Sequence, residues 1–492
     1  MSESHSVGSD GIADYRLLID GAWVDASGGD RFENRNPANT DDLIGRFSAA
    51  TAADATRAVD AAHAAFAEWR ATPVSKRAAC LDKAASWLED HAEAFGAELS
   101  REEGKLLSLG VGEVKRAAQT LRFYAVEGQT ITGEVFAQDD AKMTVYTQRE
   151  PLGVATIITP WNFPVSIPAR KIAPALITGN TVVFKPSSEA PLIGVRLAEA
   201  FVAGGIPDGV VNFVTGPSSE TGAALTTDPR VRAISFTGST KAGETIHRGL
   251  PLTTRAQMEL GGKNPLIVME DADLDLAVKL AIGGGFSLTG QACTGTSRVL
   301  VHCDVAADYT AKLKAASEAL VVGDGADPAT KIGPLASQKQ LDTVLRYIEI
   351  GKGEATLVTG GRRLSDPPHD KGFYVTPTVF GSVSPDAVIA QEEIFGPVIA
   401  LIEFGSYDEA IEIANGVAYG LSASLVTRNF DYIQRFPTDV EAGTVKVNRT
   451  TTGNLVNAPF GGVKASSTAT FRESGRAGLD FFTQLKTVYL GR

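Results

Sequence analysis

Short apolar runs alternate with helix-like stretches after Pro151, and this alternation constrains the fold more than any other feature of the sequence. The runs are VATII, TVVF, VVNFV and AISF, at 154–158, 181–184, 210–214 and 233–236. Helix-like segments separate them near 166–177, 190–203, 218–226 and 241–248. Strands and helices that alternate at about 25 to 30 residues form βαβ crossovers, so the pattern predicts a parallel sheet and a nucleotide-binding type of fold.

A second alternating set follows Pro265 and predicts a second α/β domain. Its strand-like runs begin with LIVM and continue at 297–302, 375–380, 398–404, 422–427 and 443–448. Earlier in the chain, residues 52–127 carry apolar side chains at three- and four-residue spacing, which indicates helices. The segment KMTVYTQREP at 142–151 alternates instead and predicts an exposed strand or hairpin arm.

The two ends of the chain carry weaker signals. Residues 1–15 are polar and are expected to form a mobile tail, without the basic start and apolar stretch of a signal peptide. The segment FFTQLKTVYLGR at 481–492 alternates like a strand and could pair with the hairpin arm of another subunit.

Composition limits the class of protein. At 492 residues the chain exceeds the size at which one hydrophobic core usually stops growing, so two or three domains are expected. A net charge of −12 disfavours nonspecific binding to nucleic acid or to a membrane surface, although a local arginine can still bind an anionic substrate. Three cysteines and the lack of an apolar run of about 20 residues predict a soluble, cytoplasmic protein.

Cys293 in GQACTGTSR is the candidate nucleophile. Gly290 and Gly295 flank it after a helix-like stretch, so a loop or a helix start could present the thiol. Backbone N–H dipoles at such a place would lower the thiol pKa and favour the thiolate. The local sequence fits a small buried hydrophobe as well, which is the usual role of a free cysteine. Cys303 lies two residues beyond Val301 in an apolar run and is assigned to the core.

Two further polar residues follow apolar runs and could act on a carbonyl compound. Glu259 in MELGGKNP stands at a strand end, where partial desolvation would raise its pKa and suit a general base. Strand-end glutamates are common, however, and the motif alone is a weak signal. Asn162 in TPWNFP follows the first strand of the parallel set, and its amide could donate to a substrate oxyanion. A structural turn explains this motif equally well.

The signals for a cofactor are individually weak. No G-x-G-x-x-G follows a strand, but a strand that runs into Gly238 and Ser239 at a helix start can still form a phosphate site. Lys185 and Ser188 of FKPSSEAP follow the TVVF run, where an open parallel sheet binds the ribose of a dinucleotide. The six histidines form no metal-binding motif, so no metal site is expected, and neither a Walker loop nor G-x-S-x-G is present.

Taken together and in this order, these motifs resemble the aldehyde dehydrogenase superfamily over essentially the whole chain, from about Tyr15 to Val488. The segments that match at similar intervals are TPWNFP, KPSSEAP, FTGST, ELGGKNP, GQACT, EEIFGPV (392–398) and PFGGVK (459–464). Seven matched motifs in order are very specific. The resemblance therefore favours the nucleophile over the buried hydrophobe for Cys293.

The resemblance implies a reaction through a cysteine thioester. Cys293 would attack the aldehyde carbon, while the Asn162 amide and the Cys293 backbone N–H hold the oxyanion. A hydride would pass to the nicotinamide, and water activated by Glu259 would hydrolyse the resulting thioester. Family members that pass the acyl group to coenzyme A typically lack that glutamate, so release of the free acid is expected.

The resemblance also implies a dinucleotide site. Lys185 matches the lysine that reaches the adenosine ribose, and Glu393 matches the glutamate that holds the nicotinamide ribose. The other residues assigned to this site are Trp161, Gly238, Ser239 and Phe395, which packs beside the glutamate. NAD-specific relatives often carry a glutamate at the place of Ser188, where it repels a 2′-phosphate. A serine removes this repulsion, so NADP⁺ is expected to be preferred and NAD⁺ to be usable.

The implied fold is α/β, with two doubly wound parallel-sheet domains and a small β oligomerisation arm. The dinucleotide-binding domain would comprise 1–130 and 151–260, and the catalytic domain 261–460. The arm would combine 131–150 with 461–492. Homodimers or homotetramers are usual in the family, so one of these assemblies is expected.

The substrate is inferred from two local features. Arg170 in SIPARKIAPAL matches an arginine that reaches the distal carboxylate in succinate-semialdehyde dehydrogenases. Those enzymes often have a second arginine six residues before the nucleophile, where this chain has Ser287. The segment NRTTTGNLVNAPFGGVKASSTATFRESG looks more like the 2-oxoglutarate semialdehyde (2,5-dioxopentanoate) dehydrogenases. That small-molecule aldehyde is the predicted substrate, with succinate semialdehyde or a broad range of aldehydes as alternatives.

Two other functional classes were compared with this prediction. A non-catalytic descendant that keeps the fold is disfavoured because Cys293, Glu259 and Asn162 are all present. A cysteine hydrolase with the same thiol is disfavoured by the cofactor motifs. A requirement for NAD(P)⁺ in acid formation separates the hydrolase from the dehydrogenase.

Overall fold

The computed structural model describes residues 3–468 and 470–491. Within these residues the strands are, in chain order, β1 His5–Val7, β2 Ala13–Tyr15, β3 Leu17–Ile19, β4 Ala22–Val24, β5 Arg31–Arg35, β6 Leu43–Ser48, β7 Val135–Phe136, β8 Met143–Pro151, β9 Val154–Ile158, β10 Thr181–Lys185, β11 Val211–Phe213, β12 Val231–Thr237, β13 Arg255–Glu259, β14 Asn264–Val268, β15 Thr296–His302, β16 Thr356–Thr359, β17 Thr378–Gly381, β18 Val398–Phe404, β19 Tyr419–Gly420, β20 Ser422–Val426, β21 Thr444–Val447, β22 Val463–Lys464 and β23 Thr483–Gly491.

The α-helices of the same residues are α1 Ala52–Ala71, α2 Val74–Asp90, α3 Ala92–Glu103, α4 Leu107–Glu127, α5 Ser166–Ile177, α6 Pro191–Ala203, α7 Ser218–Thr227, α8 Thr240–Arg248, α9 Leu274–Gly285, α10 Cys303–Glu318, α11 Gln338–Glu354, α12 Val388–Gln391, α13 Tyr407–Asn415, α14 Phe430–Asp439 and α15 Ala477–Phe481. Short 3-10 helices span Gly128–Thr130 and Ser287–Gly290. None of the helices in the described part of the chain is long and apolar enough to cross a membrane.

The first large sheet has the strand order β13-β12-β9-β10-β11-β3-β4. The strands from β13 to β11 are parallel to their neighbours, and β3 and β4 add an antiparallel edge. Every residue of β9 and β10 is buried, as expected for strands rich in valine and isoleucine that helices cover on both faces. The predicted βαβ crossovers and the α/β fold class are confirmed.

The second large sheet has the order β16-β17-β18-β15-β14-β20-β21 and is parallel except for β16. Strand β13, the last strand of the first large sheet along the chain, ends at Glu259. Strand β14, the first strand of the second large sheet, begins at Asn264. The four residues 260–263 therefore connect the two sheets. The residues that follow β13 and those that precede β15 meet at this connection, which is where the candidate site lies.

Two expectations about the ends of the chain and one about Cys303 are wrong. The predicted mobile tail contains β1 and β2, which join β6 and β5 in a four-stranded sheet, while residues 1 and 2 lie outside the described residues. Strand β23 pairs antiparallel with β8 of its own chain, from Thr483 opposite Pro151 to Gly491 opposite Met143, rather than with another subunit. Cys303 is exposed at the start of α10 and does not belong to the core.

Candidate active site

A cavity of about 340 Å³ brings together residues that are far apart in the sequence. Helices α4 and α5, the 3-10 helix that precedes Cys293, and the loop around Gly453 form its walls. Of the predicted site residues, Cys293, Glu259 and Arg170 line this cavity. A thiol, a carboxylate and a guanidinium therefore line one cavity.

Cys293 lies in a turn between the 3-10 helix and β15. Its carbonyl oxygen accepts a hydrogen bond from Asn264 Nδ2 at 2.8 Å. A Cβ atom on Gly262 would lie 2.5 Å from the same oxygen, so this position requires glycine. Burial, with a smaller contribution from the charge of Glu393, raises the pKa of the Cys293 thiol to about 12. The prediction that backbone dipoles lower this pKa is therefore wrong, because desolvation of the buried thiol raises it.

Glu259 is the last residue of β13, and its side chain is buried. Neither carboxylate oxygen has a hydrogen-bond partner within the described residues. Burial first, and then the charge of Glu473, raises the pKa of Glu259 well above its ordinary value. A carboxylate in this state is poised to accept a proton, as a general base must.

Asn162 is buried beside the nucleophile turn, but it does not line the cavity surface. Its Nδ2 donates to the carbonyl oxygen of Gln291 at 3.0 Å, and its Oδ1 accepts from the backbone N–H of Phe163 at 3.1 Å. Gln291 precedes Cys293 by two residues, so the amide is fixed against the peptide that carries the thiol. An amide nitrogen has two hydrogens, so one donor remains for a substrate oxygen.

The predicted adenosine-side residues follow the carboxyl ends of parallel strands. Lys185 ends β10, and its Nζ donates to Ser218 Oγ at 3.1 Å. Burial lowers the pKa of Lys185 to about 8. Ser188 is half-buried and donates to the carbonyl oxygen of Gly216 at 3.3 Å. Ser239 caps the N-terminus of α8.

The predicted nicotinamide-side residues gather near the connection between the sheets. Glu393 Oε1 accepts from the backbone N–H of Gly262 at 2.9 Å, and burial raises the pKa of Glu393 to about 7. The rings of Trp161 and Phe395 pack edge to face, 5.5 Å apart between centroids. Gly238 donates its backbone N–H to the carbonyl oxygen of Glu259 at 3.1 Å, which ties the phosphate-site turn to the general-base candidate.

A dinucleotide fits the donor set at these strand ends. Thr159 directly follows β9, and Thr237 is the last residue of β12. The hydroxyls of both are buried without a hydrogen-bond partner among the described residues. Buried orphan hydroxyls are costly unless a ligand satisfies them. These hydroxyls lie at the carboxyl ends of the parallel strands, where nucleotides bind in open α/β folds.

Sequence reasoning missed several charged residues of the cavity. Lys105, Glu113 and Arg116 reach it from α4 and the turn before it, and Glu473 reaches it from a distant loop. Arg170 Nε lies 3.9 Å from Glu473 Oε1, and its guanidinium lies 5.4 Å from the centroid of the Phe460 ring. Spacing of three or four residues along α4 places 109, 112, 113 and 116 on one face, but nothing local indicates that this face borders a site.

The comparisons with known proteins agree with this geometry. The model of the aldehyde dehydrogenase family matches residues 23–488. The chain belongs to the aldehyde dehydrogenase family. It is 43% identical over 478 residues to an alpha-ketoglutaric semialdehyde dehydrogenase of Bacillus subtilis, covering 97% of this chain and 98% of that one. It is 44% identical to an alpha-ketoglutarate semialdehyde dehydrogenase of Haloferax volcanii, covering 96% and 98%.

Solved aldehyde dehydrogenases share the whole fold. A 3,6-anhydro-L-galactose dehydrogenase in complex with NADP superposes with a TM-score of 0.94 at 36% identity, covering 97% of this dehydrogenase and 100% of that chain. An NAD⁺ complex of an aldehyde dehydrogenase from Bacillus cereus gives a TM-score of 0.93 at 36% identity, covering 97% and 96%. Members of this family with very similar folds have thus been solved with each of the two dinucleotides.

Proposed function

We propose that this aldehyde dehydrogenase oxidises 2-oxoglutarate semialdehyde (2,5-dioxopentanoate) to 2-oxoglutarate, with NADP⁺ preferred and NAD⁺ accepted. The observation that carries the proposal is the shared cavity of Cys293, Glu259 and Arg170, which pairs a nucleophile and a base with a cation for a distal carboxylate. The names of the Bacillus subtilis and Haloferax volcanii relatives support the same substrate. Ser287, which lines the cavity in place of an arginine, makes succinate semialdehyde the weaker alternative.

The reaction begins at the thiol. The Cys293 thiol gives its proton to water, and the resulting thiolate attacks the aldehyde carbon. A C–S bond forms, and the carbonyl electron pair moves onto oxygen. The Asn162 amide and the Cys293 backbone N–H donate to this oxyanion. When bound, NAD(P)⁺ would supply the hydride acceptor, and loss of the hydride from this carbon leaves a thioester on Cys293.

Glu259 acts in the second half of the reaction. Its carboxylate accepts a proton from water while the water oxygen attacks the thioester carbon. The C–S bond then breaks, the carboxylic acid leaves, and sulfur recovers its electron pair. Lys185, Ser188, Gly238, Ser239, Trp161, Glu393 and Phe395 are the residues that would hold the dinucleotide, with Ser188 leaving room for a 2′-phosphate.

A panel of substrates tests the proposal. Values of kcat/KM for 2,5-dioxopentanoate, succinate semialdehyde and hexanal should be compared with NADP⁺ and with NAD⁺. The proposal expects 2,5-dioxopentanoate to give the highest value and the Cys293→Ala variant to lose turnover while it still binds the dinucleotide. Acid formation without a dinucleotide would indicate a hydrolase. Similar kcat/KM values for all three aldehydes would indicate a broad-range enzyme, and no turnover of any aldehyde would indicate a non-catalytic protein.

The division into domains and the assembly are part of the proposal. We assign 1–130 with 151–260 to dinucleotide binding, 261–460 to catalysis, and 131–150 with 461–492 to an oligomerisation arm in a cytoplasmic homodimer or homotetramer. Large apolar side chains are exposed on the arm strands, which supports an interface there: Val135, Phe136, Leu485, Tyr489 and Leu490. Sedimentation of wild-type protein and of the Tyr489→Glu variant tests it, with dissociation expected for the variant.

A further inference from the structure

Arg116 is a cation of the cavity wall that has no acidic partner. It lies in the third turn of α4 and is half-buried. Within residues 3–468 and 470–491, no carboxylate lies within ion-pairing distance of its guanidinium. The other cations of the same wall differ, since Lys105 donates to Glu113 at 2.5 Å and Arg170 lies 3.9 Å from Glu473. The charge of Arg116 is therefore left uncompensated.

Arg116 and Arg170 line the same cavity, and their positive charges repel each other. They stand on α4 and α5, which pack together, and both side chains line the same space. Burial first, and then the positive charge of Arg170, lowers the pKa of Arg116. Two partly desolvated cations that repel each other raise the free energy of the empty cavity, and an anion placed between them would lower it.

We propose that Arg116, together with Arg170, binds the carboxylate end of the aldehyde substrate and sets the preference for semialdehyde acids over uncharged aldehydes. A carboxylate suits this pair because its two oxygens can accept hydrogen bonds from guanidinium groups on different sides. A keto oxygen next to that carboxylate offers one more acceptor to the same donors. The proposal rests on the proposed function, and it assigns to α4 a specificity role that the match of Arg170 to semialdehyde dehydrogenases does not include.

The remaining features of the wall agree with an elongated acid. Apolar side chains line the same cavity as the two arginines and the thiol, among them Leu109, Ile167 and Phe460. These surfaces can contact the methylene groups of a chain whose aldehyde lies at Cys293. Among the cations of this wall, the uncompensated charge is that of Arg116, so the cavity favours an anion beside α4 and a neutral carbonyl at the thiol.

The test compares two aldehydes in variants of one helix. Arg116→Gln removes the charge, and Arg116→Lys retains it. The matched control is Arg122→Gln on the same helix, because Arg122 does not line the cavity and forms ion pairs with Asp82 and Glu89. For Arg116→Gln, kcat/KM with 2,5-dioxopentanoate should fall about 10- to 100-fold, the range for loss of a charged hydrogen bond, while the value with hexanal changes less than about twofold. Arg116→Lys should recover part of the loss, and Arg122→Gln should match wild type.

A binding measurement separates this inference from the proposed function. Titration calorimetry with 2-oxoglutarate on wild type and Arg116→Gln should show a Kd about tenfold or more weaker in the variant, whatever the rate of catalysis. Equal losses with hexanal and the acid, or no loss with either, would overturn the role of Arg116. If wild type prefers hexanal but Arg116→Gln still weakens binding of 2-oxoglutarate, the proposed substrate is wrong and the anion site stands.

Discussion

The ammonium nitrogen of Lys105 donates a hydrogen bond to the backbone carbonyl oxygen of Asn162 at 2.8 Å. The same nitrogen donates to Glu113 Oε2 at 2.5 Å. The other oxygen of Glu113 accepts from the backbone N–H groups of Val165 and Ser166 at 2.9 and 3.1 Å. One buried ion pair therefore fixes the Asn162 loop and the start of α5, the helix that carries Arg170.

Replacement of Lys105 should destabilise the protein strongly. Lys105→Met leaves the carboxylate of Glu113 buried without its cation, and breaking a buried pair in this way costs about 3–5 kcal/mol. The shift of the urea unfolding transition measures this cost. Lys115→Met is the control, because Lys115 is exposed, pairs with exposed Glu93, and should contribute about 1 kcal/mol or less. Similar shifts for the two variants would contradict the role given to the buried pair.

The raised pKa of Cys293 should be visible in the dinucleotide-free protein. Iodoacetamide reacts with the thiolate, and a pKa of about 12 lies above the whole interval from pH 7 to 9. The rate of alkylation of Cys293, followed by mass spectrometry, should therefore rise about tenfold per pH unit with no plateau. Cys303 is an exposed comparator on the same chain. A plateau for Cys293 within this interval would show that burial does not control its pKa.

Glu259→Gln should separate the two halves of the reaction. The variant keeps the size of the side chain but cannot accept a proton from water, so hydrolysis of the thioester slows about 10²- to 10⁴-fold. Mixing enzyme with saturating aldehyde and NADP⁺ should give a burst of NADPH followed by slow turnover, and mass spectrometry should detect the acyl-enzyme. Absence of the burst would place Glu259 in an earlier step.

The parts of the fold that the sequence predicts are those that local patterns determine. The run at 154–158 coincides with β9, and the predicted helix at 166–177 coincides with α5, because apolar period and flanking prolines act over a few residues. The pairing of β23 with β8 of the same chain joins residues more than 300 positions apart, and no local pattern encodes the partner. The assignment of Cys303 to the core is wrong for a different reason. Strand β15 ends at His302, and Cys303 is the first residue of the helix that follows.

The candidate site shows the same division. Motifs around Cys293 and Glu259 stand out because glycines allow close backbone approach there, and the contact between Gly262 and the Cys293 carbonyl shows why. Arg116 and Glu473 carry no such signal. They reach the cavity through the packing of α4 and of a loop more than 170 residues beyond Cys293, and only three-dimensional contacts reveal them.

Ser188→Glu should reverse the preference between dinucleotides. A carboxylate at this position would repel a 2′-phosphate and accept hydrogen bonds from ribose hydroxyls, and an unfavourable pair of like charges can change discrimination by about 2 kcal/mol or more. The ratio of kcat/KM for NADP⁺ to that for NAD⁺ should fall about 30-fold. Ser188→Gln has nearly the same size without the charge and should change the ratio much less. Equal ratios in wild type and Ser188→Glu would mean that Ser188 does not face the ribose.

Arg170→Ala should weaken binding of semialdehyde acids. Its side chain is 18% exposed on the cavity wall, and Glu473 at 3.9 Å is its acidic neighbour. If a charged hydrogen bond to the substrate carboxylate is lost, KM for 2,5-dioxopentanoate should rise by the equivalent of about 2 kcal/mol, while KM for hexanal should hardly change. Equal increases for both substrates would indicate a structural role, and no increase for either would remove Arg170 from the site.

The same substitution should also move the pH dependence, which gives a readout that does not depend on the substrate tail. The positive charge of Arg170 lowers the pKa of Glu259 and thus opposes the effects of burial and of Glu473. Without that charge the pKa of Glu259 rises further, and the general base is ionised only at higher pH. The rising limb of kcat against pH should therefore shift to higher pH for the acid and for hexanal alike, provided hydrolysis limits turnover. A shift toward lower pH would contradict this electrostatic link between Arg170 and Glu259.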